Sequence, residues 1–495
     1  MGIVLKQTLS NTIVSYAGLI VGYINIVILY PTYFSITEFG LVSLLMSISF
    51  VYSQISAFGI SNTVLKYFPV FKSEDKRHNG FISWILLLMS AGFVVITLLY
   101  IIFKPAIDAS FVENSPIFLE YFYWIIPLSL FQLVFNVFES LARSIHKTVL
   151  STALRELIFR LLTTLGIILV AMKFLSFDQF VIYFVLIHGL IFVVLFGQIV
   201  FSKEFKLFSN VNLFKRDKLK EVINYGLFTL ISISSYYIAL NLDRIMLGSM
   251  VGLEIVGIYQ IYIFVGTVIV FPYRALGRIA VPIIADCWKK NDTEKIKMMY
   301  KKTSLMLFII SGLIYTGILV NEHNLLALLK KPEFAGTFPI FIIIGLSFLI
   351  DSTGGINSDI LTTSEKYRVD TLFNVLFLIA NVILNFIFIP WFGGIGAAVA
   401  TTLSFVIFNI TKWYYIKHRF NMQPFDSKYI IVILILGVSL TIGYLLPIIE
   451  NVFLDLTYRS IIVAGVYLTL TISLKISEDI NEKFYKVLAR VGIKK

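Results

Sequence analysis

Long apolar runs, separated by short polar and basic segments, repeat along the whole 495-residue chain. They fall near 10–34, 40–65, 81–103, 117–141, 152–172, 179–201, 223–249, 255–283, 303–321, 338–361, 371–390, 395–416, 429–447 and 459–475. A helix needs roughly 20 apolar residues to cross a bilayer. The pattern therefore predicts an all-α, polytopic membrane protein of about 14 transmembrane helices. The first run follows Met1–Ser10, which contains Lys6, and no small-residue cleavage site precedes a soluble region. It reads as a retained helix rather than a signal peptide.

Composition sharpens the exclusions. Hydrophobic residues make up 58% of the chain and charged residues 14%, against about 25% charged in an average soluble domain. The mean hydropathy is +0.88. A soluble enzyme, a disulfide-rich secreted domain and a one-helix anchored protein are excluded. The single Cys287 cannot form an intrachain disulfide or a cysteine-rich metal site. The five histidines are scattered, without an H-x-x-x-H pair, and no phosphate-binding G-x-x-x-x-G-K-[ST] loop is present. No metal or other cofactor is expected.

The formal charge of +12 would suggest nucleic acid in a soluble protein, but its distribution argues for a membrane. The segments at the termini and after even-numbered runs hold about 31 Lys and Arg, whereas the alternate segments hold about 5, namely Lys104, Lys173, Lys330, Lys331 and Arg459. Cytoplasmic loops carry the excess of Lys and Arg, so both termini are expected in the cytoplasm. The basic segment 202–221 falls near the middle and reads as a linker between six spans and eight. A short similarity between Ser35–Leu41 and Gly252–Ile258, each with a glycine after an acidic turn, supports two repeated halves.

Two motifs resemble a known family. Asp243-Arg244-Ile245-Met246-Leu247-Gly248, followed by Glu254-Ile255-Val256-Gly257-Ile258-Tyr259, is similar to the seventh-to-eighth helix signature of bacterial polysaccharide-export flippases. Asn381, Asn385 and Ile389-Pro390-Trp391-Phe392-Gly393-Gly394-Ile395-Gly396-Ala397-Ala398 resemble the turn between that family's eleventh and twelfth helices. The family is the Wzx-type lipid-linked oligosaccharide flippases, in the superfamily that also holds lipid II flippases and multidrug and toxin extrusion transporters. The resemblance implies two six-helix lobes around a central cavity: 1–205, a linker at 206–221, 222–420, and two extra helices with a cytoplasmic tail at 421–495. It implies an undecaprenyl-pyrophosphate-linked oligosaccharide as substrate and partner, a bacterial inner-membrane location, and work beside glycan polymerase or export machinery. The first run, Asn11 to Phe34, has no charge, unlike the arginine-rich first helix of lipid II flippases, which counts against a peptidoglycan precursor. The alternative is an ion-coupled multidrug and toxin extrusion-like antiporter.

Charged residues inside apolar runs are the candidate site. An arginine at a helix centre costs about 2.5–3.5 kcal/mol on insertion scales, so it faces protein or a wet cavity. Arg274 and Arg278 share one face between Pro272 and Pro282. They either grip a diphosphate with paired guanidinium forks or snorkel to headgroups. Arg155, Glu156 and Arg160 form a second group, with Glu156 and Arg160 spaced to pair. Asp243 and Arg244, near Asn241, lie deeper and point to different helix faces; one faces the cavity, or the two lobes are bridged there. Asp351 and Asp359 flank Gly354-Gly355 in a helix that reads as broken, a feature of ion-coupled transporters. Glu139, with Asn136, is a weaker coupling candidate. Asn241 and Gln132 are among the amides able to meet sugar hydroxyls, and Asn381 and Asn385 read as helix–helix contacts.

Overall fold

The structure is a computed structural model describing residues 2–73, 78–202, 205 and 216–482. Every regular element among the described residues is helical. Among the described residues, eleven helices are long and apolar enough to cross a membrane, and a bent pair makes twelve. The expected fourteen is not reached by length and apolarity alone, for two reasons that can be located. The stretch Thr148–Ala171 carries Arg155, Glu156 and Arg160. The 54-residue helix Tyr367–Phe420 would reach about 80 Å if straight, far beyond a hydrocarbon core of about 30 Å. It breaks at Gly393, whose φ of 54° and ψ of −126° only glycine adopts readily. Trp391 and Phe392 project outward beside that break, as aromatic side chains do at a membrane interface.

Packing divides the chain into two compact units, Met1–Ile261 with Asn385–Gly394, and Tyr262–Leu384 with Ile395–Lys495. The linker expected at 206–221 lies outside the described residues up to 215, and from Arg216 the chain is helical.

In the first unit, α1 (Gly2–Tyr23) runs through a π-helical turn, Ile24–Leu29, to Tyr33. Then come α2 (Ile36–Ser56), the amphipathic α3 (Ile60–Phe71), α4 (Phe81–Ile102) and α5 (Ile125–Ser144). A segment Thr148–Ala153 and a π-helical turn Leu154–Ile158 lead into α6 (Phe159–Ala171). The unit continues with α7 (Phe177–Phe201) and α8 (Ser235–Met250). Capping boxes start α2 and α7: Ser35 and Glu38, and Ser176 and Gln179, satisfy each other's backbone N–H groups. Val64, Phe68, Phe81, Leu133, Val137, Phe138 and Leu195 fill the core. Ile13, Leu87, Leu186 and Phe201 face outward, where lipid replaces water. Beyond the end of α2, Tyr67 donates to Glu221 at 2.9 Å and Lys66 lies 3.9 Å from the Tyr225 ring centroid. Burial, and then the Glu221 carboxylate, push the Tyr67 hydroxyl up to about 12.

A long helix α9 (Leu253–Lys289) begins in the first unit, and the second unit takes its residues from 262. The second unit adds α10 (Thr293–Val320), α11 (Phe338–Thr353), α12 (Asn357–Thr363), α13 (Tyr367–Phe420), α14 (Lys428–Leu445) and α15 (Val452–Ser473). Arg459, which the charge count put in an outer loop, is buried in α15. Its guanidinium pairs with Asp455 at 3.1 Å and donates to the Gly443 carbonyl at 2.6 Å and the Pro447 carbonyl at 3.2 Å. It thereby satisfies carbonyls at the end of α14 that no helical N–H can reach.

Candidate functional site

One cluster of charged side chains in the first unit sits between α5 and the turn that leads into α6. On α5, Asn136, Glu139 and Arg143 follow one helical stripe. Opposite them, the π-helical turn Leu154–Ile158 carries Arg155 and Glu156. Such a turn holds an extra residue and is frequent at functional sites. Arg155 bonds across helices, to Glu139 at 2.6 Å and to Asn136 at 2.5 Å. Arg143 reaches the other Glu139 oxygen at 2.9 Å. One buried carboxylate thus holds two guanidinium groups. Arg155 also lies over the Phe135 ring, 5.1 Å from its centroid. Its remaining N–H groups have no hydrogen-bond partner among the described residues, and its side chain keeps 40% of its exposure.

Arg160 is placed differently. It pairs with Glu156 at 3.1 Å, as their spacing predicts, and donates to the Gly18 carbonyl of α1 at 2.6 Å. A β-carbon at Gly22 would lie 2.6 Å from the Arg160 guanidinium, so glycine leaves the room this side chain needs. Asn25, in the π-helical turn of the first span, donates to the Arg160 carbonyl at 2.9 Å. Arg160 therefore fastens α1 onto α6. A cavity of about 270 Å³ opens beside these residues, with Arg155, Glu156, Arg160 and Asn136 along its polar side. Two residues at this site, Arg143 and His188, were read in the sequence only as a basic loop charge and as one of five scattered histidines. Arg143 sits four residues after Glu139, a spacing that could have flagged it.

The second group in this unit is Asp243 and Arg244. As expected of chain neighbours, they point apart. Arg244 donates to Gln260 at 2.6 Å, to Asn241 at 2.9 Å and to the Leu240 carbonyl at 2.7 Å. Asn241 gives its own N–H to the Tyr237 carbonyl at 2.8 Å, so its amide is engaged on its own helix. Asp243 is buried and accepts from Tyr259 at 2.9 Å and from Asn385 at 2.8 Å. Asn381 donates to Thr401 at 3.3 Å in the second unit.

In the second unit, α11 and α12 form the bent pair, at 48°. Gly355 sits at the bend with φ +59°, and a β-carbon there would fall 2.2 Å from the Ser304 hydroxyl. Asp351 ends α11 and Asp359 lies in α12. The sequence reading missed what faces them. Lys412, counted there as a loop charge, is 1% exposed inside α13. Its ammonium lies 2.7 Å from Asp370, 2.7 Å from the Ser358 hydroxyl and 3.9 Å from the Phe408 ring centroid. Lys412 falls inside the apolar run 395–416, the signal that it is not a loop residue. Asn409 donates to Asp351 at 3.4 Å and accepts from Asn357 at 2.9 Å, tying both arms of the bend to α13. Asp359 keeps one buried oxygen without a hydrogen bond among the described residues. Arg274 is exposed on α9, and the Arg278 side chain lies outside the described residues. A second cavity of about 660 Å³ in this unit is lined mainly by apolar side chains, among them Phe308, Leu349, Val406 and Leu436.

Residues 4–288 match the family model described as "Polysaccharide biosynthesis protein". The chain belongs to that family. An uncharacterized membrane protein of Methanocaldococcus jannaschii is 22% identical over 88% of this chain and 89% of its own length. The "probable low-salt glycan biosynthesis flippase Agl15" of Haloferax volcanii is 24% identical over 40% of this chain and 42% of that protein. In fold, this polysaccharide biosynthesis family member is similar to "lipid II flippase MurJ, inward closed conformation". The TM-score is 0.72 at 15% identity, covering 94% of this chain and 98% of that one. The expected class, an all-helical multi-span transporter fold, is therefore correct.

Proposed function

We propose that the protein is a flippase that carries an undecaprenyl-pyrophosphate-linked oligosaccharide from the inner to the outer leaflet of the cytoplasmic membrane, by alternating access, for cell-surface polysaccharide synthesis. A glycan headgroup cannot cross lipid unaided, because each unpaired hydroxyl costs roughly 2–7 kcal/mol in an apolar medium. The protein must give the headgroup polar partners while the polyprenyl chain stays among apolar surfaces. The observation that carries this reading is Arg155: a guanidinium oriented by Glu139 and Asn136, with further donors free beside a cavity. Free guanidinium donors suit diphosphate oxygens, which accept paired, charge-assisted hydrogen bonds.

Arg143, Arg155 and Arg160 outnumber Glu139 and Glu156 around this site, which favours an anionic headgroup over the cationic drugs of an extrusion-type antiporter. Arg274 and Arg278 are the next candidates for the diphosphate. Arg244 ranks below them because protein acceptors already hold it. The apolar cavity of the second unit offers a surface to a polyprenyl chain. Moving two negative charges outward gains about 4–5 kcal/mol per 100 mV if nothing compensates them, so ATP is not required. Asp351, Asp359 and the Lys412–Asp370 pair are the coupling candidates, and both termini are cytoplasmic. Glycan polymerase or export machinery takes up the product. Deleting the gene tests this reading: a lipid-linked glycan should accumulate in the inner leaflet, and an unchanged lipid-linked glycan pool would contradict it.

A further inference from the structure

The cavity of the first unit is lined by more than its charged residues. Phe50, Phe131 and Phe159 line it as well, together with Gln132 and His188. His188 is 6% exposed. Its Nδ1 lies 2.8 Å from the Phe184 carbonyl oxygen. A carbonyl can only accept, so Nδ1 carries a proton, and in the neutral ring Nε2 presents a lone pair. Nε2 has no partner among the described residues. The ring is held edge-on against Phe159 and Phe184, with centroids 4.5 and 5.0 Å away, which fixes where that lone pair points. His188 lines the cavity, so this acceptor stands at the cavity wall. Gln132 is nearly as free: its amide N–H reaches only the Met46 sulfur, at 3.6 Å. Sulfur is a weak acceptor. Gly189 lets the Phe131 ring approach α7, since a β-carbon there would lie 3.0 Å from it.

A sugar ring has the matching chemistry. Its C–H face packs on aromatic rings, and its rim offers hydroxyl donors and acceptors. The volume of about 270 Å³ is below the roughly 300–1,000 Å³ of pockets for larger ligands. It suits one ring rather than an oligosaccharide. The ring that can reach it while its phosphate meets Arg155 is the one attached directly to the diphosphate. We infer that this cavity is a subsite for the first sugar of the glycan, in which His188 Nε2 accepts from one hydroxyl and Gln132 bonds another. The inference rests on the flippase reading and deepens it: the transporter selects by the linkage sugar, whatever follows along the glycan.

The test compares affinities of the purified, full-length protein in nanodiscs. The probes are undecaprenyl diphosphate and the same lipid bearing one N-acetylglucosamine, N-acetylgalactosamine or galactose. The readout is the ratio of the best sugar-bearing affinity to the sugarless one. Wild-type protein should give a ratio well above one. His188→Phe, which keeps an aromatic ring but removes the acceptor, and Gln132→Leu should each lower it by about 2- to 12-fold, the value of one neutral hydrogen bond. His188→Gln, which restores an acceptor, should recover part of it. A wild-type ratio of one, or an unchanged ratio in both His188→Phe and Gln132→Leu, overturns the subsite. If the wild-type protein binds none of the four lipids, the flippase reading falls with it. Two variants at separate helices keep the test valid if one of them fails to fold.

Discussion

Gly40 and Gly257 meet where α2 and α9 cross. A β-carbon on Gly40 would lie 1.8 Å from the Leu253 carbonyl oxygen and 3.1 Å from the Gly257 nitrogen, and one on Gly257 would lie 2.5 Å from the Ile36 carbonyl oxygen. These are the two glycines that stand out in the paired segments Ser35–Leu41 and Gly252–Ile258. Inside a bilayer, helices gain little from apolar burial and associate through close backbone approach. A methyl group at either position must push the helices apart. Gly40→Ala and Gly257→Ala should each lower stability by about 1–3 kcal/mol, the usual cost of overpacking. Thermal unfolding of the purified variants measures this; melting temperatures equal to wild type would show that the crossing is not tight.

Glu139 holds Arg143 and Arg155 together, so the two sides of the pair are not equivalent. Glu139→Gln leaves two guanidinium groups without their carboxylate. Arg155→Gln leaves Glu139 still paired with Arg143 at 2.9 Å. Glu139→Gln should therefore destabilise more, by about 1–3 kcal/mol, discounted because both arginines keep contact with solvent. Denaturation of both variants in the same detergent checks the order, and a more stable Glu139→Gln protein would contradict it.

Lys412 and Asp370 are buried with side chains 1% and 7% exposed. Removing one partner of such a pair costs about 3–5 kcal/mol, because the other charge is left alone. Lys412→Met and Asp370→Asn should each reduce folded protein sharply, and the double variant should recover much of the loss. A double-mutant cycle by thermal unfolding gives the coupling. Additive losses would mean that the two charges do not interact.

The sequence reading rests on quantities that are local in the chain. Apolar runs, the glycine break near Gly393 and the i, i+4 pair Glu156–Arg160 all come from neighbours in sequence, and each has its counterpart in the structure. What could not be read is contact across long separations. Arg155 bonds Glu139 on another helix rather than its neighbour Glu156, and Asp243 meets Asn385, 142 positions away. Lys412 and Arg459 looked like loop charges because charge usually marks a loop. Here buried carboxylates, Asp370 and Asp455, hold them within helices. His188 was passed over as an isolated histidine; only packing shows that it lines a cavity.

Topology is open to direct measurement. If the basic residues of alternate segments mark the cytoplasmic side, Glu113 lies outside and Lys290 inside. In a Cys287→Ser background, Glu113→Cys should react with an impermeant maleimide on intact cells and Lys290→Cys should not. The opposite pattern would invert the orientation.

The most direct test of the central claim is translocation by the purified protein in liposomes. A fluorescent undecaprenyl-diphosphate-linked glycan is placed in both leaflets, and its outer-leaflet fraction is followed with an impermeant quencher. Wild-type protein should make the inner pool accessible. Arg155→Lys should retain part of the rate, and Arg155→Gln should lose it by roughly 10- to 150-fold, the value of one charge-assisted hydrogen bond. An Arg155→Gln protein that moves the lipid at the wild-type rate would contradict the headgroup role of this cavity, and wild-type liposomes no faster than empty ones would contradict the flippase itself.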